Sequence, residues 1–215
     1  MGELALGLVR THFPQLPQPL PPAPWTVLLE QSDNESEAHA TALFEALLQS
    51  ALERGLITDA AVAASIDQSN AMWHLRESIP LAQSIEGLNI KHDIALPVSS
   101  VAGFVASTDA ALKAAFPGVR LVNFGHLGDG NLHYNVQAPA GESAVDFLRD
   151  REAAVNQLVY DAVGAHGGSI SAEHGIGAMK RDELARRKSA VALRMMRAIK
   201  HALDPADRMN PGRVL

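Results

Sequence analysis

The sequence predicts an α+β fold: an elaborated ferredoxin-like antiparallel sheet, helices packed largely on one face, and a helical C-terminal segment. Three observations predict it. Strand-like segments, above all the period-two alternation of Asn89 to Leu96, are interspersed with segments whose apolar residues recur at helical spacing. Their order is strand-helix-strand, helix, strand-helix-strand, then a hairpin strand and closing helices, the arrangement of a sheet covered on one side. A Gly128-Asp129-Gly130 stretch between two strand-like runs marks the hairpin.

Taken in order, Glu3 to Phe13 is an amphipathic segment, and the prolines between Pro14 and Pro24 make a stiff connector. Trp25 to Gln31 reads as a strand. Asn34 is placed to cap a helix carrying Leu43, Phe44, Leu47, Leu48 and Leu52, which Gly55 ends. Ala60 to Ile66 suits a short buried strand, and Ser69 to Ser84 a helix interrupted or bent near Pro80. Asn89 to Leu96 sets Ile90, His92, Ile94 and Leu96 on one face against Lys91, Asp93 and Ala95 on the other. Ser99 or Ser100 caps the next helix, with Val101, Phe104, Val105 and Leu112 inward, and Pro117-Gly118 closes it. Val119 to His126 and Asn131 to Gln137 form the hairpin. Ser143, with Asp146 three residues on, opens a long helix to about Ala165. A last helix bears Ala192, Met196, Ile199 and Leu203 and stops at Asp204-Pro205.

At 215 residues and 47% hydrophobic, the chain has enough apolar content for a sizeable core in one domain or two small lobes. A net charge of −6, with basic residues interleaved among acids on helix-like segments, excludes a nucleic-acid surface. No apolar run approaches the roughly eighteen residues of a membrane span and no signal-peptide pattern opens the chain, so a cytoplasmic location is expected. The absence of cysteine excludes disulfides, thiolate ligands and a cysteine nucleophile. Neither a glycine-rich phosphate loop nor a dinucleotide fingerprint is present.

The chemistry concentrates in two clusters. In Asn123-Phe-Gly-His126-Leu-Gly-Asp-Gly-Asn131-Leu-His133-Tyr-Asn135, a two-residue turn at Asp129-Gly130 would pair His126 with His133. Such opposed residues have Cβ atoms roughly 5 Å apart, a spacing that suits two ligands of one ion. Asn135 projects to the same face as His133. The second cluster, Ser169-Ile-Ser-Ala-Glu173-His174-Gly175-Ile-Gly177, adds a carboxylate and a third imidazole. Imidazoles plus a carboxylate suit Zn²⁺, Mn²⁺ or Fe²⁺ with positions left for substrate. The plainer reading is a cross-strand polar pair at a sheet end, with Glu173 capping a helix. Asp129 is a turn residue, His166 a helix-end residue facing the last carbonyls, and His74 and His201 exposed helix histidines. His92, on the apolar alternation, is a packed, hydrogen-bonded histidine. Arg76 follows Met72 and Trp73 by one turn and needs an anionic partner or a route to solvent; its planar fork matches a carboxylate. Lys91 alone reads as a charge protecting a sheet edge.

Gly125-His-Leu-Gly-Asp-Gly-Asn-Leu-His133, then Ser171-Ala-Glu-His-Gly-Ile-Gly177, then Leu203-Asp-Pro-Ala-Asp-Arg-Met-Asn-Pro-Gly212 resemble the C-terminal domain of FAD-linked oxidases of the vanillyl-alcohol-oxidase-like superfamily. Within it the nearest likeness is to D-2-hydroxyglutarate and D-lactate dehydrogenases. The resemblance runs through nearly all of residues 1–215, with residues 1–24 as helix plus connector. It implies oxidation of a D-2-hydroxy acid by hydride transfer to FAD, with FAD held mainly by an N-terminal domain absent from this chain. The chain is thus expected to be an excised C-terminal portion with Met1 a candidate internal residue, inactive alone. The implied roles are a Zn or Mn ion on His126, His133 and Glu173, His174 as catalytic acid/base and substrate ligand, and Arg76, Lys91 and Asn135 as substrate ligands. Asn210 falls in a tail that nears the flavin in the family. Relatives acting on 2-hydroxyglutarate can carry a hydroxyl side chain four residues after the arginine, where this chain has Pro80. A sheet edge left open is expected to favour a homodimer, and the electron acceptor is not specified. A metallohydrolase in which His174 activates water, and a non-catalytic ligand-binding or assembly module, are the other readings of the same residues.

Overall fold

A computed structural model describes residues 1–215, which divide into two compact units, Met1–Leu88 and Asn89–Leu215. The first is helical. Helix α1 (Glu3–His12) packs against α4 (Ile79–Glu86), burying Ala5, Leu6, Leu8 and Val9 on one side and Ile79 and Ala82 on the other, and His12 pairs with Glu86 at 2.8 Å. Helix α2 (Glu37–Glu53) forms where its apolar spacing predicts, but its cap is Ser36, not Asn34: Ser36 accepts from the His39 N–H. Its Leu43, Leu47 and Leu52 stay exposed.

Two expected strands do not form. The proline-rich connector folds back, with Glu3 donating to the Pro24 carbonyl and Thr26 to that of Met1, so Trp25 makes only an isolated bridge with Gly2. Residues 60–65 likewise meet no partner edge, and Ser65 caps α3 (Ile66–Glu77) by accepting from the Gln68 N–H. A short apolar run becomes a strand only where another edge completes its ladder. The bend expected near Pro80 separates α3 from α4, with proline in the first turn of α4 where its missing N–H costs no helical bond.

The second unit is built on an antiparallel sheet ordered β1-β3-β2, from β1 (Asn89–Ala95), β2 (Arg120–Phe124) and β3 (Asn131–Gln137). The fold is α+β, as predicted, with β3 central. Helices α5 (Val101–Ala115) and α6 (Ala144–Ala165) cover one face: Ile90, Ile94, Leu132, Tyr134 and Val136 pack with Phe104, Leu112, Phe147, Val155, Val159 and Val163 in one apolar core. Each such side chain contributes about 1.5–3 kcal/mol by leaving water. Ser143 accepts from the Asp146 N–H to start α6, as its position predicts. The opposite face carries Lys91 and Asp93 of β1 beside Asn135 and His133 of β3, because those pairs are in register. Helices α7 (Arg181–Arg187) and α8 (Ala190–Leu203) follow, and Asp204 ends α8 by accepting from the N–H groups of Arg208 and Met209 and from Lys200. No helix is long and apolar enough to cross a membrane.

The hairpin differs from its predicted form. Phe124, not His126, faces His133, and residues 125–130 make a longer connection with a 3-10 turn at Leu127–Asp129. A two-residue turn needs positive φ at both Asp129 and Gly130, and only Gly130 has it (φ 66°). The cause is Leu96, whose N–H donates to the Gly130 carbonyl at 2.9 Å and whose own carbonyl lies 1.9 Å from where a Cβ on Gly130 would be.

His92 is sealed among these groups, with Nδ1 2.8 Å from the Tyr134 carbonyl and Nε2 2.8 Å from the Asn156 amide. Burial lowers its pKa to about 4, against the raising effect of those two bonds. The folded state thus takes up this proton later than the unfolded chain, which binds it near 6.5. His92 stabilisation is complete above pH 6.5 and declines by about 1.4 kcal/mol per pH unit down to pH 4. Urea unfolding across that window should show a shallower pH slope in His92→Gln, and an identical slope would refute the assignment. Gly130→Ala should destabilise by about 2 kcal/mol or more, whereas Gly128→Ala, with open space at its Cβ, should be near neutral.

Candidate metal and substrate site

At the polar face of the sheet, β1 and β3 bring Asp93 opposite His133 and Lys91 opposite Asn135. Asn135 is buried and accepts the His92 N–H at 3.3 Å, while Lys91 reaches solvent. His133 is half-buried, stacked at 4.8 Å on Phe124, with Nδ1 3.7 Å from Asp93 Oδ1. The second cluster arrives from the segment after α6. An isolated bridge joins Ala95 to Ser169, and the chain passes close enough that a Cβ on Gly168 would stand 2.6 Å from the Ala95 carbonyl. Lys180 braces this segment by donating to the Ile170 carbonyl at 2.8 Å and the Asp93 carbonyl at 3.5 Å.

Both clusters meet at Asp93. Its Oδ2 accepts the backbone N–H groups of Ala172 (3.2 Å), Glu173 (2.8 Å) and His174 (2.8 Å), and its Oδ1 lies 3.4 Å from the Asn131 amide nitrogen. His174 Nδ1 is 3.8 Å from Oδ2, and the His133 and His174 rings are 6.0 Å apart. Burial pushes the Asp93 carboxyl up, but the N–H groups of His174, Glu173 and Ala172, with the charge of His174, outweigh it and hold the group below the usual carboxylate range.

Of the expected site residues, His133, Glu173, His174, Asn135 and Lys91 are thereby placed on or beside one polar face of the second unit. The group whose ligand atoms converge, within 4.8 Å of one another, is Asp93, Glu173 and His174. His126 is not opposite His133; it stands exposed at the start of the hairpin connection, its carbonyl accepting from Asp129 and Asn131. Arg76 is half-buried in the last turn of α3, in the first unit. His133 stands beside Glu173 and His174, so imidazole and carboxylate groups, a borderline donor set, gather at this point. His166 Nδ1 meets the Ala162 carbonyl at 2.9 Å, the helix-end role its glycine setting predicts. Sequence reasoning passed over Asp93 and Lys180. The alternation of β1 had already placed Asp93 on the Lys91 face, and a carboxylate in mid-strand needs donors from somewhere.

Comparison with known proteins identifies the family of the chain. Residues 1–214 match the family described as FAD linked oxidases, C-terminal domain. The chain is 39% identical over 193 residues, 89% of its length, to the D-2-hydroxyglutarate dehydrogenase of Xanthomonas citri pv. viticola. It is 35% identical over 215 residues, all of its length, to the mitochondrial D-2-hydroxyglutarate dehydrogenase of Bos taurus, and 33% over 211 residues, or 98%, to that of Arabidopsis thaliana. It spans 40%, 38% and 36% of those three proteins. On this match the chain belongs to the C-terminal domain family of FAD linked oxidases.

Proposed function

We propose that the chain is the substrate- and metal-binding domain of an FAD-dependent D-2-hydroxyacid dehydrogenase, converting a D-2-hydroxy acid to the 2-oxo acid. The observation that carries this reading is the meeting of His133 with the Glu173-His174 segment beside the Asn135 and Lys91 pair. Relatives named D-2-hydroxyglutarate dehydrogenases make that acid the first to test. Pro80, exposed in the first turn of α4, supplies no hydroxyl four residues after Arg76, which weighs against a strict preference for the second carboxylate.

In this reading His133 and Glu173, with His126 as the third ligand on the family resemblance, would hold a Zn²⁺ or Mn²⁺ ion, which would supply Lewis acidity toward the substrate hydroxyl. His174 accepts the hydroxyl proton, its exposed imidazole lying beside His133 and Glu173. Asn135 and Lys91 orient the substrate from the strand face. For Arg76 the role of carboxylate ligand rests on the family resemblance and on the bidentate fit of guanidinium to carboxylate. Hydride acceptance by FAD belongs to the whole protein, since the chain contains no phosphate-cradling loop. The cytoplasmic location and a homodimer through an open sheet edge belong to the same proposal.

Untagged protein supplied with Zn²⁺ or Mn²⁺ should retain about one ion per chain. His126→Ala and His133→Ala should each abolish retention while His74→Ala does not; a metal-free but folded wild type would sink the site. The chain expressed alone should be colourless and should not oxidise D-lactate, D-malate or D-2-hydroxyglutarate. A flavin absorbance spectrum would overturn the division of labour.

In the full-length enzyme, Arg76→Lys should mainly raise KM, since lysine keeps the charge and loses the fork. His174→Ala should lower kcat by roughly 10²-fold or more with metal content intact. Loss of metal in His174→Ala would make it a ligand, and near-normal turnover would remove the general-base role.

A further inference from the structure

We propose that Asp93 is the positioning residue of the site: its carboxylate sets the backbone of residues 172–174 and thereby aims Glu173 and His174. This rests on the reading of those two residues given above. Glu173 and His174 are both exposed, so no packing fixes either side chain. What holds them is the backbone. Three successive N–H groups, from Ala172, Glu173 and His174, converge on one oxygen of a side chain that is 3% exposed. The Ala172 N–H is shared with the Asp93 carbonyl at 3.2 Å, so side chain and main chain of one residue grip the same segment. Charge-assisted bonds of this kind are roughly twice as strong as neutral ones.

The other oxygen faces the hairpin. Oδ1 lies 3.4 Å from the Asn131 amide nitrogen and 3.7 Å from His133 Nδ1. A carboxylate facing Nδ1 favours the tautomer that keeps its proton there and leaves Nε2 to bind a metal. One carboxylate thus ties a segment about eighty residues away in sequence to the strand carrying His133. Although Asp93 falls within the converging group with Glu173 and His174, Oδ2 already has three donors, and taking a metal there would strand N–H groups whose loss costs about 1–3 kcal/mol each. The geometry therefore makes it an anchor for the ligand-bearing segment and not a ligand.

Two measurements on the metal-free and Zn²⁺-titrated chain test this: amide hydrogen exchange at residues 172–174, and the Zn²⁺ dissociation constant by calorimetry. Asp93→Ala should abolish protection at 172–174 while the amides of β3 remain protected, and should weaken Zn²⁺ binding by about 10- to 100-fold. Asp93→Asn keeps an acceptor oxygen, so it should retain most of that protection and bind Zn²⁺ within about tenfold of wild type. The proposal is overturned if Asp93→Ala leaves exchange at 172–174 unchanged. It is equally overturned if Asp93→Asn loses Zn²⁺ as completely as Asp93→Ala with the segment still protected, because Asp93 would then be a ligand. A wild-type chain that binds no Zn²⁺ defeats the metal reading instead, and the exchange comparison still decides the role of Asp93.

Discussion

A carboxylate buried in the middle of a strand must find donors or lose its charge, and Asp93 resolves this by drawing in the backbone of a distant segment. Burial of an ionised group costs several kcal/mol unless hydrogen bonds compensate. Here the compensation comes from three N–H groups of residues 172–174 and the Asn131 amide. The demand of one side chain for donors thus becomes the geometry of the site. Lys180 works in the same direction, tying the Ile170 carbonyl to β1 and keeping its own ammonium half-buried between two carbonyls.

The two faces of the sheet divide the labour. One is an apolar core against α5 and α6 that fixes the positions of the strands. The other holds the polar row of β3, His133 and Asn135, with Lys91 and Asp93 of β1 in register across from it. Because side chains alternate with a period of two, the core that fixes Leu132, Tyr134 and Val136 also fixes the direction of His133 and Asn135. Packing on one side therefore aims chemistry on the other.

Much of this was legible in the chain. The alternation of residues 89–96 placed His92 inward and Lys91 outward, and the caps at Ser143 and the stop at Asp204 read true. The hairpin register was not legible, because Asp129-Gly130 carries the same turn signal whether or not Leu96 captures the Gly130 carbonyl, and only the tertiary bond decides. Residues 25–31 and 60–65 have apolar content but no partner edge, a property of the whole fold and not of the segment. The apolar stripes of α2 and α8 are helical as read, yet a stripe says that a face is apolar and not what meets it. Asp93 falls on the face its alternation gives, but its role is not legible, since most of its partners are backbone groups that no side-chain motif advertises.

Anomalous diffraction at the zinc edge from crystals of the Zn²⁺-loaded protein tests the central claim most directly, because it locates the ion and the Asp93 contacts in one map. The account predicts a single peak about 2.0–2.2 Å from His126, His133 and Glu173, with Asp93 Oδ2 still accepting the N–H groups of residues 172–174. A peak coordinated by Asp93 Oδ2, with those N–H groups released, or a peak remote from His133 and Glu173, would contradict it.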